Sequence, residues 1–388
     1  MDAKLKQRIA LGILFFQSGL CFSTWASRIP DIKAAFAFSD SELGTLLLIR
    51  PLGAFIGLPF AGWVVDKYGS NYSSVVGILA FSVSLVLLGL SPSVWWLAGA
   101  ILLFGLSANL TNISINAQAL AVQKNYGKTI ISSFHGLWSL AGFCGAGLGA
   151  VLISLKVVML YHFLLIMGTV LIFGLLTFKH LSREHQAGSR KFVFKKPEPV
   201  LLRLGLIAFC GLLCEGCIYD WAGIYFKQVV QVEAGLVTAG FIAYMGTMAL
   251  GRMVSDHFTN RFGSTAIIQA SGVLIFSGLI LAVLFPHLIT AILGFVLVGA
   301  GTSSVIPLTY AQVGKNPSLS PGISLATVST IGYFGFLLGP PLIGFIADLL
   351  NLRASFALVA VAGLMITVLA TLAKRRDSKA ATQALTPS

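Results

Sequence analysis

The chain has 388 residues, 56% of them hydrophobic and 10% charged, with a mean hydropathy of +0.89. An ordinary soluble domain carries roughly 25% charged residues, so this composition excludes a water-soluble fold and predicts an all-α transmembrane chain. The net charge of +13 would suit nucleic acid, but the placement of the charges, set out next, excludes that partner.

Apolar runs of about 20 residues, long enough to cross a bilayer as helices, recur from end to end. They fall at 8–27, 42–65, 72–91, 94–122, 130–155, 157–178, 201–226, 234–255, 265–285, 287–313, 322–346 and 353–373. The basic start of the first (Lys4, Lys6, Arg8) looks like that of a signal peptide. No small-residue cleavage site follows it, so a permanent span is expected. Ser91-Pro92-Ser93 and Phe285-Pro286-His287 break neighbouring spans as turns. Twenty of the 26 Lys and Arg lie on the side of the termini and even-numbered loops. Arg28, Lys33, Lys156, Lys227 and Arg353 lie opposite, and Arg50 lies within a span. The positive-inside rule then puts both termini in the cytoplasm. The longest loop, with Arg183, Arg190, Lys191, Lys195 and Lys196, reads as a cytoplasmic linker. The expected domains are a six-span bundle over 1–178, a linker over 179–200, and a second bundle with a short tail over 201–388.

A loop motif occurs twice. The first copy is Gly62-Trp-Val-Val-Asp66-Lys67-Tyr-Gly69-Ser70. The second runs from Gly251-Arg252 through Asp256 to Arg261-Phe-Gly263-Ser264. Lys67 and Arg261 are 194 positions apart, and the same offset pairs Gly57 with Gly251, Gly105 with Gly299, Ala117-Gln118 with Ala311-Gln312, and Gly145 with Gly339. Six helices have been duplicated in parallel. Bundles of this kind move solutes by rocking one half against the other.

The loop between spans two and three resembles the signature of the major facilitator superfamily: Gly, three residues, Asp, a basic residue, any residue, Gly. Gly339-Pro340-Pro341-Leu-Ile-Gly344 with Asp348 resembles that family's eleventh helix. Three further stretches resemble its YbjJ-like branch of bacterial inner-membrane proteins: Arg28-Ile-Pro-Asp31-Ile-Lys33, Ser132-Ser-Phe-His135-Gly-Leu-Trp138-Ser139, and Glu215-Gly-Cys-Ile-Tyr-Asp220-Trp221. The resemblance covers nearly the whole chain. It implies twelve helices in two six-helix bundles related by a pseudo-two-fold axis, a monomer in a bacterial inner membrane, and alternating access around a central cavity. It also implies gating roles for Gly62, Asp66, Lys67, Gly69, Arg252, Asp256 and Arg261. Gly62 would let two helices approach, Asp66 would cap or pair with a neighbouring helix end, and Lys67 would anchor the loop at the headgroups. Ser70-Asn71 stands where the signature has its second basic pair, which weakens the expected charge network there.

An ionisable group inside the bilayer costs at least ~2.5–3.5 kcal/mol, so each needs a reason. Arg50, His135, Glu215 and Asp220 are the candidates. Glu215 and Asp220 differ by about 140° around their helix and cannot form one dyad. Either could carry a coupling proton with Arg50 as its modulator, or a carboxylate and Arg50 could form a static pair. His135 could relay protons or simply pack. Asn109, Asn112 and Asn116 make a polar stripe within a ~60° arc, suited to solute contact or to interhelical hydrogen bonds. Gln17, Trp25, Trp138, Tyr219, Trp221, Tyr310 and Gln312 would complete a pocket of amides and aromatic faces, which suits a hydroxylated, sugar-like solute.

Cys210, Cys214 and Cys217 match an iron–sulfur spacing but lie inside an apolar helix, where no cluster loop forms. Packing explains them, and no cofactor is expected. The chain has no phosphate-binding Gly-Lys-Ser/Thr loop, zinc pattern or nucleophile–base pair, so neither an ATP-driven pump nor an enzyme is expected. Gly136, Gly142, Gly145, Gly147 and Gly149 resemble a drug-exporter signature, with Ala150 in place of its Pro. Close helix packing explains them equally well. The expected function is proton-coupled transport of a small polar solute. The alternatives are proton-antiport efflux of amphipathic compounds and a receptor or scaffold that transports nothing.

Overall fold

The computed structural model describes residues 3–126, 130–182, 198–313 and 321–384. Among these residues it contains twelve helices long and apolar enough to span a membrane, and no strands. They are α1 (Ala3–Ala35), α2 (Asp40–Tyr68), α3 (Ser70–Gly89), α4 (Val94–Tyr126), α5 (Ile131–Ser154), α6 (Met159–Phe178), α7 (Pro199–Tyr225), α8 (Ala239–Phe262), α9 (Ser264–Leu284), α10 (Leu288–Val313), α11 (Pro321–Leu349) and α12 (Leu352–Ala384). Each expected span has its helix. Several helices outrun the apolar stretch, as α1 (Ala3–Ala35) and α12 (Leu352–Ala384) do, because polar and charged residues such as Lys, Gln and Arg are themselves good helix formers. The basic stretch expected as a linker lies largely at 183–197, outside the described residues.

By its contacts the chain divides into two units. The first comprises the described residues of Met1–Arg190 together with Ala222–Gly246, the junction of α7 and α8. The second comprises those of Lys191–Trp221 and Thr247–Ser388.

In the first unit, α2 starts with a capping box. The Ser39 Oγ accepts from the Glu42 amide at 3.2 Å, and the Ser39 amide donates to Glu42 Oε2 at 2.9 Å, satisfying two orphan donors at once. Packing between α2 and α4 depends on small residues. A Cβ at Gly105 would lie 2.1 Å from the Arg50 carbonyl oxygen, so only glycine allows that approach. In the same unit α5 lies on α1, with Gly145 against Ser23 and Gly149 against Ser27. Close packing therefore explains these two glycines, as well as Gly142, which faces Met245. Gly136 and Gly147 face open space.

The α7–α8 junction belongs to this unit by specific contacts. Gly223 sits against Pro30, the Lys227 ammonium donates to the Pro30 carbonyl at 3.5 Å, and Gly235 sits against Ser154. A short π-helix, Phe226–Val230, follows α7 and ends at Gln231 in the left-handed region (φ 57°).

In the second unit α9 packs on α12 through polar links. Gln269 donates to Thr371 Oγ1, and Thr367 donates to the Gln269 carbonyl, both at 2.8 Å. Arg353 holds the Val283 carbonyl with two nitrogens at 2.9 and 2.6 Å. Lipid tails are as apolar as leucine, so such bonds and close packing hold the helices together where the hydrophobic effect does not.

The duplication survives in atomic detail. Gly69 closes α2 at φ 84°, ψ 151°, and Gly263 closes α8 at φ 83°, ψ 151°. Gln118 donates to Ser70 Oγ at 2.8 Å, and Gln312 donates to Ser264 Oγ at 3.4 Å. Gly57 faces Leu106 and Asn109, and Gly251 faces Ala300 and Ser303. Every pair keeps the offset of 194.

Candidate functional site

In the second unit side chains of four helices cluster around Glu215 and the tyrosines beside it. This carboxylate is buried at 6% exposure on α7. One turn along the same helix, Tyr219 reaches back with its hydroxyl 3.4 Å from Glu215 Oε2, a long contact, and lies 3.7 Å from Met248 Sδ on α8. Residues four apart share one face of a helix, so Glu215 and Tyr219 present one stripe, and Met248 and Arg252 present another on α8. The positive charge of Arg252 acts on Glu215. From α10, Tyr310 lies within electrostatic reach of Glu215 and hydrogen-bonds Ser329 of α11. Phe336 of α11 packs against Tyr219, with ring centroids 6.1 Å apart. The buried Asp220, five residues on, sits about 140° around α7.

The first unit holds a buried cation. Arg50, at 8% exposure, has its guanidinium over the Phe22 ring at 5.3 Å, and Phe22 lies 5.6 Å from the Trp138 ring. These three come from α2, α1 and α5. His135 sits a turn before Trp138, edge-on to Phe15 at 5.4 Å.

Other expected pocket residues go elsewhere. Gln17 donates to the Val170 carbonyl at 3.3 Å and is buried between α1 and α6. Trp25 is buried against Phe104, with ring centroids 5.5 Å apart. Asn109 donates to the Ala54 carbonyl of α2, so this member of the stripe joins two helices. Asn116 donates to the Asn112 carbonyl at 2.8 Å within its own helix, and Asn112 is exposed. Trp221 is fully buried, and Gln312 is bound to Ser264. Of the expected pocket, Tyr219 and Tyr310 join Glu215, and Trp138 joins Arg50.

The two motifs, expected as loops, lie on the last turns of α2 and within α8, with only Gly69 and Gly263 between helices. Lys67 lies over two rings, Trp63 at 4.8 Å and Tyr68 at 5.2 Å, and Arg261 lies over Phe262 at 5.3 Å. Asp66 and Asp256 are exposed. Gly62 does not permit a close approach here, since nothing lies within 4 Å of where its Cβ would be. The closest backbone approach of α2 to α4 falls earlier, at Gly53 and Gly57, while Ala61 and Val64 still pack with Leu110 of α4 through side chains.

One constellation escapes the sequence-based expectations. Arg28, at 4% exposure, donates through Nε to His162 Nδ1 at 3.2 Å, through one terminal nitrogen to Asp31 at 2.7 Å, and through the other to the Val157 carbonyl at 2.9 Å. His162 is fully buried. Because its Nδ1 accepts, its proton sits on Nε2. The signal available in the sequence was the Arg28-Ile-Pro-Asp31 motif and a histidine inside an apolar run.

A sequence model described as Major Facilitator Superfamily matches residues 11–321. Among curated proteins, the chain is 32% identical to an uncharacterized transporter, y4wD, of Sinorhizobium fredii, covering 93% of this chain and 96% of that protein. It is 30% identical to an uncharacterized MFS-type transporter of Yersinia pestis, over 94% of this chain and 95% of the other. Among solved structures, the nucleoside transporter NupG superposes with a TM-score of 0.76 at 15% identity, covering 96% of this chain and 99% of that one.

Proposed function

The chain belongs to the major facilitator superfamily of membrane transporters, and from that premise we propose that it is a proton-coupled secondary transporter of a small polar organic solute. The observation that carries the coupling is Glu215, a carboxylate buried in a span, approached by the Tyr219 hydroxyl of its own helix and within electrostatic reach of Arg252 on the next. A carboxylate is costly in a membrane-embedded bundle, and one that gains and loses a proton as the carrier changes state repays that cost with function.

In this proposal the chain works as a monomer in a bacterial inner membrane with both termini in the cytoplasm. The six-helix halves, 1–178 and 201–388, rock about the linker. The loop motifs bias the two states through Asp66, Lys67, Gly69, Asp256 and Arg261. Arg50, backed by Phe22 and Trp138, offers a cation and aromatic faces to the solute. Tyr310 and Asn112 offer hydrogen bonds suited to a sugar-like compound.

The test uses purified protein. A thermal-shift screen of sugars, polyols, organic acids and drugs selects a ligand, whose flux into proteoliposomes is then followed with and without a pH gradient. Accumulation of a polar solute driven by the gradient supports the proposal. Flux indifferent to pH would point to a uniporter, and outward movement of amphipathic compounds against protons would point to an efflux pump.

A further inference from the structure

The cluster around Arg28 plays no part in the transport proposal, yet it joins the surfaces on which the α7–α8 junction sits. Near the end of α1, the Arg28 guanidinium donates to His162 Nδ1 of α6 at 3.2 Å and to the Val157 carbonyl of the α5–α6 turn at 2.9 Å. Two residues on, Pro30 packs against Gly223, and its carbonyl accepts from Lys227 at 3.5 Å. Ser154, which ends α5 just before that turn, packs against Gly235. The junction therefore rests on α1 at one point and on the end of α5 at another, and Arg28 ties the two together. The turn itself depends on such a tie. Lys156, next to Val157, has φ 55°, a left-handed conformation that is uncommon outside glycine and persists where the surroundings enforce it.

His162 is the member of the cluster that can change. Its Nδ1 accepts from a cation that never loses its charge, so the imidazole here is neutral. Its Nε2 carries the proton and, though buried, has no hydrogen-bond partner, which is rare for a buried donor. A proton added at Nδ1 would set donor against donor and cation against cation. The acceptors already in the cluster are the Val157 carbonyl and the Asp31 carboxylate, which lies 2.7 Å from Arg28 and is partly exposed. Arg28 must then give up His162, and Asp31 is the anion that can keep it. The neighbouring charges are Lys156 of the turn, Lys227 and Glu233 of the junction, and Lys33 of α1, which is paired with Asp40. Tyr161 on the same helix is exposed. Of the ionisable side chains, α3 brings only Tyr72, near its far end, and α5 brings none after Cys144.

We propose that His162 is a proton-binding site that senses pH at this end of the protein, and that its protonation loosens the α7–α8 junction from α1 and α5. The proton adds to Nδ1 and makes an imidazolium. The hydrogen bond from Arg28 is lost, and departure of the proton restores it. This proton is separate from the one assigned to Glu215 and does not depend on that assignment. Under the proposed topology this end faces away from the cytoplasm, so acid outside is what acts on it.

The test uses the full chain in lipid nanodiscs, with the proton as probe. Amide exchange read by mass spectrometry, corrected for the intrinsic effect of pH, is followed from about pH 8 to about pH 5, where a histidine changes its charge. Peptides covering 155–161 and 223–236 should exchange about tenfold faster or more at the acid end, the scale of one lost bond from a charged donor. His162→Gln, whose amide oxygen can accept from Arg28 but takes up no proton, should keep both segments slow throughout. Protection indifferent to pH in the parent, or an equal loss in His162→Gln, would overturn the proposal. Exchange at the imidazole Cε1, read in the same peptides, follows the titration of His162 in the unaltered chain and needs no variant to fold. Its midpoint should coincide with that of the amide transition. A His162 that stays neutral throughout would overturn the proposal as well.

Discussion

Polar side chains in spans divide by what they touch. Asn109 donates to the Ala54 carbonyl of α2, whereas Asn112, three residues later, is exposed. Asn109→Ala should therefore cost stability, roughly 0.6 kcal/mol for an interhelical bond in a membrane protein, and leave solute affinity within twofold. Asn112→Ala should leave the melting temperature unchanged and weaken solute binding by roughly 0.5–1.5 kcal/mol. Thermal melts and ligand titrations on both variants separate the roles, and a reversed pattern would exchange them. Polarity at helical spacing was legible in the sequence for the whole stripe. Which members face a neighbouring helix was not, because that depends on a partner 55 residues away. Gln17 illustrates the same limit, since its partner carbonyl lies 153 positions on. The composition of α1 gives no hint that this amide is spent on α6.

At the scale of elements, the duplicated turn makes a sharp prediction. Gly69 and Gly263 share a backbone conformation that is essentially confined to glycine. Gly69→Ala and Gly263→Ala should each cost about 1–3 kcal/mol, to a similar extent, in thermal melts. A large effect at one site and none at the other would show that the repeat is no longer equivalent there. The motif that marks this turn was plain in the sequence, because its two glycines and their spacing are written in the chain.

The Arg28 constellation was less legible, because its parts come together only when α1, the α5–α6 turn and α6 are assembled. Arg28→Ala should strand the Val157 carbonyl and His162 Nδ1 and cost ~1.5–3 kcal/mol for bonds from a charged donor. Faster amide hydrogen exchange around 155–162 would locate the loss. Arg28→Lys should recover little of it, because an ammonium cannot reproduce the planar fork that serves three acceptors.

For the molecule as a whole, sequence and structure agree most closely where repetition constrains both. Twelve apolar runs became twelve membrane-length helices, and the offset of 194 reappears as matched caps, matched glycines and matched glutamine–serine bonds. Agreement is weakest where one half has acquired what the other lacks. Glu215 has Cys21 at its repeat position and Asp220 has Ala26, so the acids belong to one copy. Symmetry therefore cannot supply their partners. Among the described residues the buried carboxylates lie in one half only, and under the proposed function that asymmetry is what a single coupling-proton site requires. The assay that tests this most directly compares the parent with Glu215→Gln in proteoliposomes, using a solute found by the screen. Concentrative uptake under an imposed pH gradient is measured beside solute-for-solute exchange, which moves no net proton. Uptake against a gradient should vanish in the variant while exchange persists at a rate within a few-fold of the parent. Undiminished concentrative uptake by Glu215→Gln would contradict the account.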